Sequence, residues 1–308
     1  MRGLPIALCV FAVSCGKGRE TTWPNVVSPT LASEVSRISP RLLWCDGQAT
    51  SPRKNNIDGR PACDVGDAMT DTGMLLALGN FVGGSQLQDS IIKSIATTGQ
   101  PYRAPSYVGR DIQNEFSRDQ FIGLADATAA GLDEKYLNSV LDYYSRTGSL
   151  CPNATDSRCK MTPSMITLAD DVRKRNVTLA ERALDEATLA VEAKTVPLDY
   201  EAYLVSRKIF TRAILGKLTD SYASSAKALY NRAPNNMWLN AVFLMTNSGT
   251  QQEFDALGAK LASCMAKWEK PGHIWLGRKG DTLCPAESIG HDLVALATFL
   301  QLPPRGVK

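Results

Sequence analysis

The stretch Ser117–Gly131, SRDQFIGLADATAAG, decides the fold. Ser117 has the chemistry of a helix N-cap, and Gln120 three residues on completes a capping-box pattern. Phe121, Ile122, Leu124 and Ala125 supply an apolar body, and Gly131 is placed to end the helix. Arg118 and Asp119 then fall in the first turn, where unpaired backbone N–H groups point outward and can hold polar ligand groups.

The same helical period runs through most of the chain. Helices are predicted over Met69–Leu78, Gln86–Thr97, Asp133–Arg146, Thr162–Asp171, Thr178–Lys194 and Tyr200–Leu215. Further ones follow over Ser221–Asn231, Asn236–Thr246, Thr250–Trp268 and Ile289–Leu300. Alternating strand patterns are nearly absent, so Gln48–Pro61, with its Pro, Asn-Asn and Asp-Gly turn signals, reads as a polar loop. Short connections make antiparallel helical hairpins the natural unit, and no fixed repeat period points to a solenoid. The expected fold class is all-α, a closed ring of antiparallel hairpins over residues 41–302, with a fraying tail at 303–308.

The N-terminus carries a targeting signal. Arg2 precedes an apolar run, Leu4–Val13, that is too short to span a bilayer. It leads into Ala12-Val13-Ser14-Cys15-Gly16, which resembles a bacterial lipobox. That resemblance implies a signal peptide over 1–14, a lipidated Cys15 as membrane anchor, and an exported protein in the bacterial cell envelope. An ordinary secretory signal cleaved nearby is the alternative. Residues 15–40, rich in Ser, Thr and Pro, read as a flexible tether.

Export governs the cysteines. Six remain after Cys9 and Cys15: Cys45, Cys63, Cys151, Cys159, Cys264 and Cys284. An even set in an oxidising compartment implies three disulfides, and the sequence-local pairing 45–63, 151–159 and 264–284 is the economical one among the 15 connectivities. Zinc fits poorly, since there is no C-x₂-C spacing and the chain has only two histidines. No metal or other cofactor is expected.

Of the 308 residues 44% are hydrophobic and 21% charged, a globular composition with a net charge of only +3. No basic stripe with interleaved aromatics suggests a nucleic-acid partner. G-x-S-x-G, P-loop, dinucleotide-binding and H-E-x-x-H motifs are all absent, which removes the serine-hydrolase, NTPase, dehydrogenase and zinc-protease readings.

Three elements carry a family resemblance. Cys63-Asp64-Val65-Gly66-Asp67-Ala68-Met69, continuing to Gly73-Met74-Leu75, resembles the C-D-x-G-D-M-x-x-x-x-G-L-L opening of exported six-hairpin glycosidase-like proteins. Ser117–Leu124 resembles their S-R-D-x-x-x-G-x-L element, and Ser288-Ile289-Gly290-His291-Asp292 is similar to an S-x-G-W/H-D element. Here Ala68 is inserted before Met69, and His291 stands where an aromatic is common. The resemblance spans about Leu42–Leu300 and implies an (α/α) toroid whose inner-helix mouths line a cleft for carbohydrate.

Glycoside hydrolysis needs two carboxyls across the scissile bond. Asp67 and Asp119 are the first candidates, each opening an apolar helix, with Asp71 and Glu115 as substitutes. The competing reading makes them helix N-terminal acids favoured by the dipole. Arg118 can clamp an acidic sugar through its bidentate fork, or pair with an acid on a neighbouring helix. His291, beside Asp292, is a candidate acid/base of the lyase kind or a structural histidine. Trp275 and Arg278, in the loop between Cys264 and Cys284, can form a sugar-stacking wall. The expected function is a glycoside hydrolase or lyase acting on an oligosaccharide. A non-catalytic glycan- or peptidoglycan-binding lipoprotein and a structural envelope protein are the alternatives.

Overall fold

The computed structural model describes residues 29–38, 43–45, 47–57, 60–64, 68–78, 84–109, 116–152, 155–198 and 200–266. Over these the chain is all-α in character, with eleven α-helices and one small antiparallel sheet. The helices are α1 (Pro29–Ile38), α2 (Ala68–Leu78), α3 (Gly84–Lys93), α4 (Arg118–Ala129), α5 (Glu134–Thr147) and α6 (Pro163–Val172). They continue with α7 (Leu179–Thr195), α8 (Tyr200–Ile214), α9 (Asp220–Arg232), α10 (Met237–Thr246) and α11 (Gln251–Ala266). None of the described helices is long and apolar enough to cross a membrane.

The helix starts follow local chemistry. Asp133, Thr162, Thr219 and Asn236 each accept a backbone N–H at an N-cap, and Thr178 with Glu181 forms a full capping box. Pro163 occupies the first turn of α6, where its missing N–H costs nothing. Gly148 ends α5 with φ +67°.

α4 is the hub. Ten consecutive residues, Asp119–Thr128, are buried, as expected for a helix packed on all sides. Its contact with α2 is a backbone-to-backbone crossing through two glycines. A Cβ on Gly73 would lie 1.9 Å from the Gly123 carbonyl oxygen, and one on Gly123 would lie 2.3 Å from the Met69 carbonyl oxygen. Only glycine fits either position.

Named contacts give the helix directions. Thr70 meets Asp119 and Gly73 meets Gly123, so α2 and α4 run parallel from a common starting end. Arg118 meets Glu201, and Asp126 meets Arg207 and Thr211, so α8 runs the same way. Glu192–Lys208 and Asp185–Arg212 make α7 antiparallel to α8. Asp185–Tyr222 and Ala193–Arg232 make α7 and α9 parallel. On α10, Trp238 donates from Nε1 to Ser206 Oγ (2.7 Å) and packs edge-on against Phe210.

Two expectations are corrected. Gln48–Ile57 is a strand, β2, pairing antiparallel with β1 (Leu43–Cys45) and β3 (Arg60–Asp64). Gly47, at φ +73°, makes the tight turn between the paired Cys45 and Gln48. Within the stretch read as tether, Pro29–Ile38 is helical and packs on α11: Leu31 is fully buried, and the Arg37 guanidinium donates to the Met265 carbonyl. The Cys151–Cys159 disulfide is present and clasps the α5–α6 connection. Cys264 is also disulfide-bonded. Cys284 and the side chains of Cys45 and Cys63 lie outside the described residues, as do Cys15, the signal segment and the helix expected at Ile289–Leu300.

Candidate functional site

Because α2, α4 and α8 run parallel, their first turns share one end of the body. Asp119, 5% exposed, sits there in the first turn of α4. Ser117 Oγ donates to its Oδ1 (2.5 Å), Thr70 Oγ1 donates to its Oδ2 (3.3 Å) and Gln120 Nε2 lies 3.4 Å from the same oxygen. Both carboxylate oxygens are therefore acceptors held by side chains of two helices. Asp71, one residue beyond Thr70 in the first turn of α2, is buried.

The capping box expected from Ser117 and Gln120 does not form. Ser117 is the N-cap residue by position, but its hydroxyl is spent on Asp119 and caps no backbone N–H. A short, charge-assisted bond to a buried carboxylate outcompetes a neutral backbone contact.

Arg118, next to Asp119, reaches outward and pairs with Glu201 of α8 at 2.5 Å. This is the helix-acid alternative for Arg118. The pair is partly open to solvent, with side-chain exposures of 19% and 34%. The loop closed by the disulfide stands near it. Asp156 in that loop is held below the usual carboxylate range, chiefly by the Arg158 side chain and backbone N–H, with a smaller pull from the Arg118 charge. The site thus has a buried acid at its floor and an ion pair at its rim.

Behind this mouth lies a buried ionic ladder that sequence reasoning missed. Arg207 and Asp126, 1% and 0% exposed, pair between α8 and α4. Thr211 Oγ1 donates to Asp126 Oδ1 (2.5 Å), and Arg207 donates to Tyr203 Oη (2.6 Å). Burial pushes the Asp126 carboxyl up from its ordinary value, while Arg207 and Thr211 pull it back. Farther along α8, Arg212 pairs with Asp185 (2.7 Å) and lies 3.7 Å from Asp171. Asp171 receives Arg182, and the Tyr222 hydroxyl donates to Asp185. Burial pushes the Tyr222 phenol well above its usual range. It also lowers the Lys208 ammonium, against the pull of Glu192 at 2.6 Å.

The signal for the ladder was available. A helix as apolar as Tyr200–Leu215 that also holds Arg207, Lys208 and Arg212 cannot bury its stripe without burying cations, and buried cations require acids. Which acids answer them is a tertiary fact.

Of the candidate residues, the structure brings Asp119, Arg118 and Asp71 to one end of α2 and α4. Asp67, Glu115, Trp275, Arg278, His291 and Asp292 lie outside the described residues. In the sequence, residue 67 directly precedes α2 and residue 115 comes two positions before Ser117. No protein-family model matches the chain, and no curated protein sequence matches it.

Proposed function

We propose that the protein is an exported envelope lipoprotein, anchored through Cys15, that acts on an oligosaccharide at the shared starting end of α2, α4 and α8. The observation that carries this reading is the fixed Asp119 carboxylate beneath the Arg118–Glu201 pair, where three parallel helices begin. Parallel inner helices opening on one end, with a second parallel set in α7 and α9, support a ring of hairpins of the (α/α) toroid kind. In such a ring carbohydrate lies across the inner-helix mouths. Asp119, pre-oriented by two hydroxyl donors, serves as the general base or charge-stabilising carboxylate. Asp67 or Glu115 supplies the second carboxyl that glycoside chemistry needs. Arg118 and Glu201 contact the sugar hydroxyls or a uronate.

A second reading is glycan capture without cleavage. It is favoured by one feature: both oxygens of Asp119 are already occupied by protein donors.

The test uses protein lacking residues 1–15, wild type and Asp119→Asn, against neutral, uronic and sulfated oligosaccharides. Mass spectrometry reports cleavage and thermal shift reports binding. Cleavage that is lost in Asp119→Asn while binding persists supports the enzyme. Binding without cleavage in either protein selects the capture reading. Absence of both across the panel, in a folded protein, overturns the carbohydrate assignment.

A further inference from the structure

Two ion pairs form the rim above Asp119, and their balance bears on what the mouth can hold. Arg118 Nη2 donates to Glu201 Oε1 at 2.5 Å, joining α4 to α8 across 83 residues of sequence. In the disulfide loop Arg158 grips Asp156. Its Nη2 donates to Oδ2 (2.8 Å), its Nε lies 3.2 Å from each carboxylate oxygen, and its backbone N–H donates to Oδ1 (2.9 Å). The Arg118 charge also reaches Asp156. Arg118 is therefore answered by two acids of the protein itself, one on α8 in direct contact and one in the loop at longer range. It is also the only cation in the first turns of α2, α4 and α8, which carry Asp71, Asp119 and Glu201.

An anionic sugar is drawn to a guanidinium whose charge is unanswered. Here a uronate or sulfate has to displace Glu201 from Arg118. That exchanges one anion–guanidinium contact for another and leaves the Glu201 carboxylate beside the newcomer, with Asp156 and Asp119 close by. The like-charge contact costs binding energy and no new attraction offsets it. An uncharged sugar faces no such exchange. A guanidinium has several N–H donors and a carboxylate several acceptor positions, so a paired Arg and Glu still present both kinds of partner to hydroxyls. The pair is only partly covered, which leaves it within reach of a ligand.

We propose that Glu201 is a specificity-determining residue of the mouth: by answering the Arg118 charge, it turns the site toward uncharged, hydroxyl-rich oligosaccharides and against uronic or sulfated ones. The inference rests on the carbohydrate reading above and names the substrate class for it. The role expected of Arg118, clamping an acidic sugar, is blocked by Glu201.

The test takes the full chain in detergent micelles and measures its affinity, by titration calorimetry, for matched tetrasaccharides that differ only at C6. The pairs are glucose against glucuronic acid, galactose against galacturonic acid, and mannose against mannuronic acid. Wild type should bind the neutral member of at least one pair about tenfold more tightly than its uronic counterpart. Glu201→Gln, isosteric and at a partly exposed position, releases Arg118. Uronate affinity should then rise about tenfold, the worth of one charge-assisted hydrogen bond, while neutral affinity changes by less than about threefold. Adding Arg118→Gln should cancel that gain, which a merely structural role for Glu201 would not predict. A wild-type preference for the uronic member, or a neutral-to-uronic ratio unmoved by Glu201→Gln, overturns the proposal and leaves the carbohydrate reading standing. No binding of any member by folded wild type or variant removes the carbohydrate reading and this inference with it. If Glu201→Gln does not fold, the wild-type ratio alone decides.

Discussion

Replacing Gly123 by alanine should damage this protein in proportion to how closely two helix backbones approach. The new Cβ would lie 2.3 Å from the Met69 carbonyl oxygen and 2.7 Å from Thr70 Cα. Non-bonded carbon contacts settle at about 3.5–4.0 Å, so α2 and α4 must part by roughly 1 Å or more. Neither obstacle is a side chain that can turn aside. Overpacking of this kind costs about 1–3 kcal/mol and occasionally more, and alanine returns roughly 1 kcal/mol through its better helix propensity. Because both obstacles are backbone atoms, the upper end of that range applies, a net loss of about 2 kcal/mol and a fall in Tm of roughly 4–8 °C for a domain of this size. Gly73→Ala should be at least as costly, since its Cβ meets the Gly123 carbonyl oxygen at 1.9 Å. The control lies in α11, where a Cβ on Gly258 meets only Leu31 Cδ2 at an ordinary 3.7 Å. Gly258→Ala should therefore stabilise by about 0.5–1 kcal/mol. Urea and thermal unfolding of the three variants measure all of this. If Gly123→Ala matches Gly258→Ala in sign, the close crossing is not there and the account of the hub is wrong.

Three further predictions concern stability. Asp126→Ala strands a buried Arg207 and should cost about 3–5 kcal/mol, whereas the triple change Asp126→Leu, Arg207→Met, Thr211→Val should recover most of that; denaturant titrations compare them. Cysteines 151 and 159 are eight residues apart, and loop-closure entropy gives their bond about 2.5 kcal/mol, so a double serine variant should unfold at correspondingly lower urea. In acid, the caps decide the slope. Glu181 and Glu253 are held below their ordinary values by the backbone N–H groups of Thr178 and Thr250, and Asp133 by that of Lys135. The folded state therefore binds protons less readily, and this contribution is complete above about pH 5 and lost as pH falls through the depressed values. Asp126, with its carboxyl raised, acts in the opposite sense. Unfolding followed from pH 7 to pH 2 should show a shallower acid limb in the Glu181→Gln, Glu253→Gln protein; an unchanged limb would remove the caps from the explanation.

The helices were legible because caps and period agreed. Thr178, Asn236 and Pro163 mark their starts to the residue. β2 was not, since Pro52 and Asn55-Asn56 disguise a strand whose register already shifts between Arg53 and Asn56. α1 was hidden by its Ser- and Thr-rich setting, although Leu31 is as buried as any core residue. At the mouth, the placement of Asp119 in a first turn could be read locally, but the second hydroxyl donor on its carboxylate, Thr70, arrives from another helix 49 residues away and could not. The Arg207–Asp126 pair joins residues 81 apart in the chain, and no local pattern encodes such a partnership.

The packing of α1 on α11 has a consequence for synthesis. Leu31 and Arg37 leave the ribosome early, yet the α11 surface that receives them, around Gly258 and Met265, is made more than two hundred residues later. The hairpins between them can pair with neighbours as they emerge, whereas α1 must wait. During that interval its apolar side is open to whatever factor accompanies the growing chain. Docking of α1 onto α11 therefore sets a lower bound on the length of chain that can close this contact: everything through Met265 must first be made.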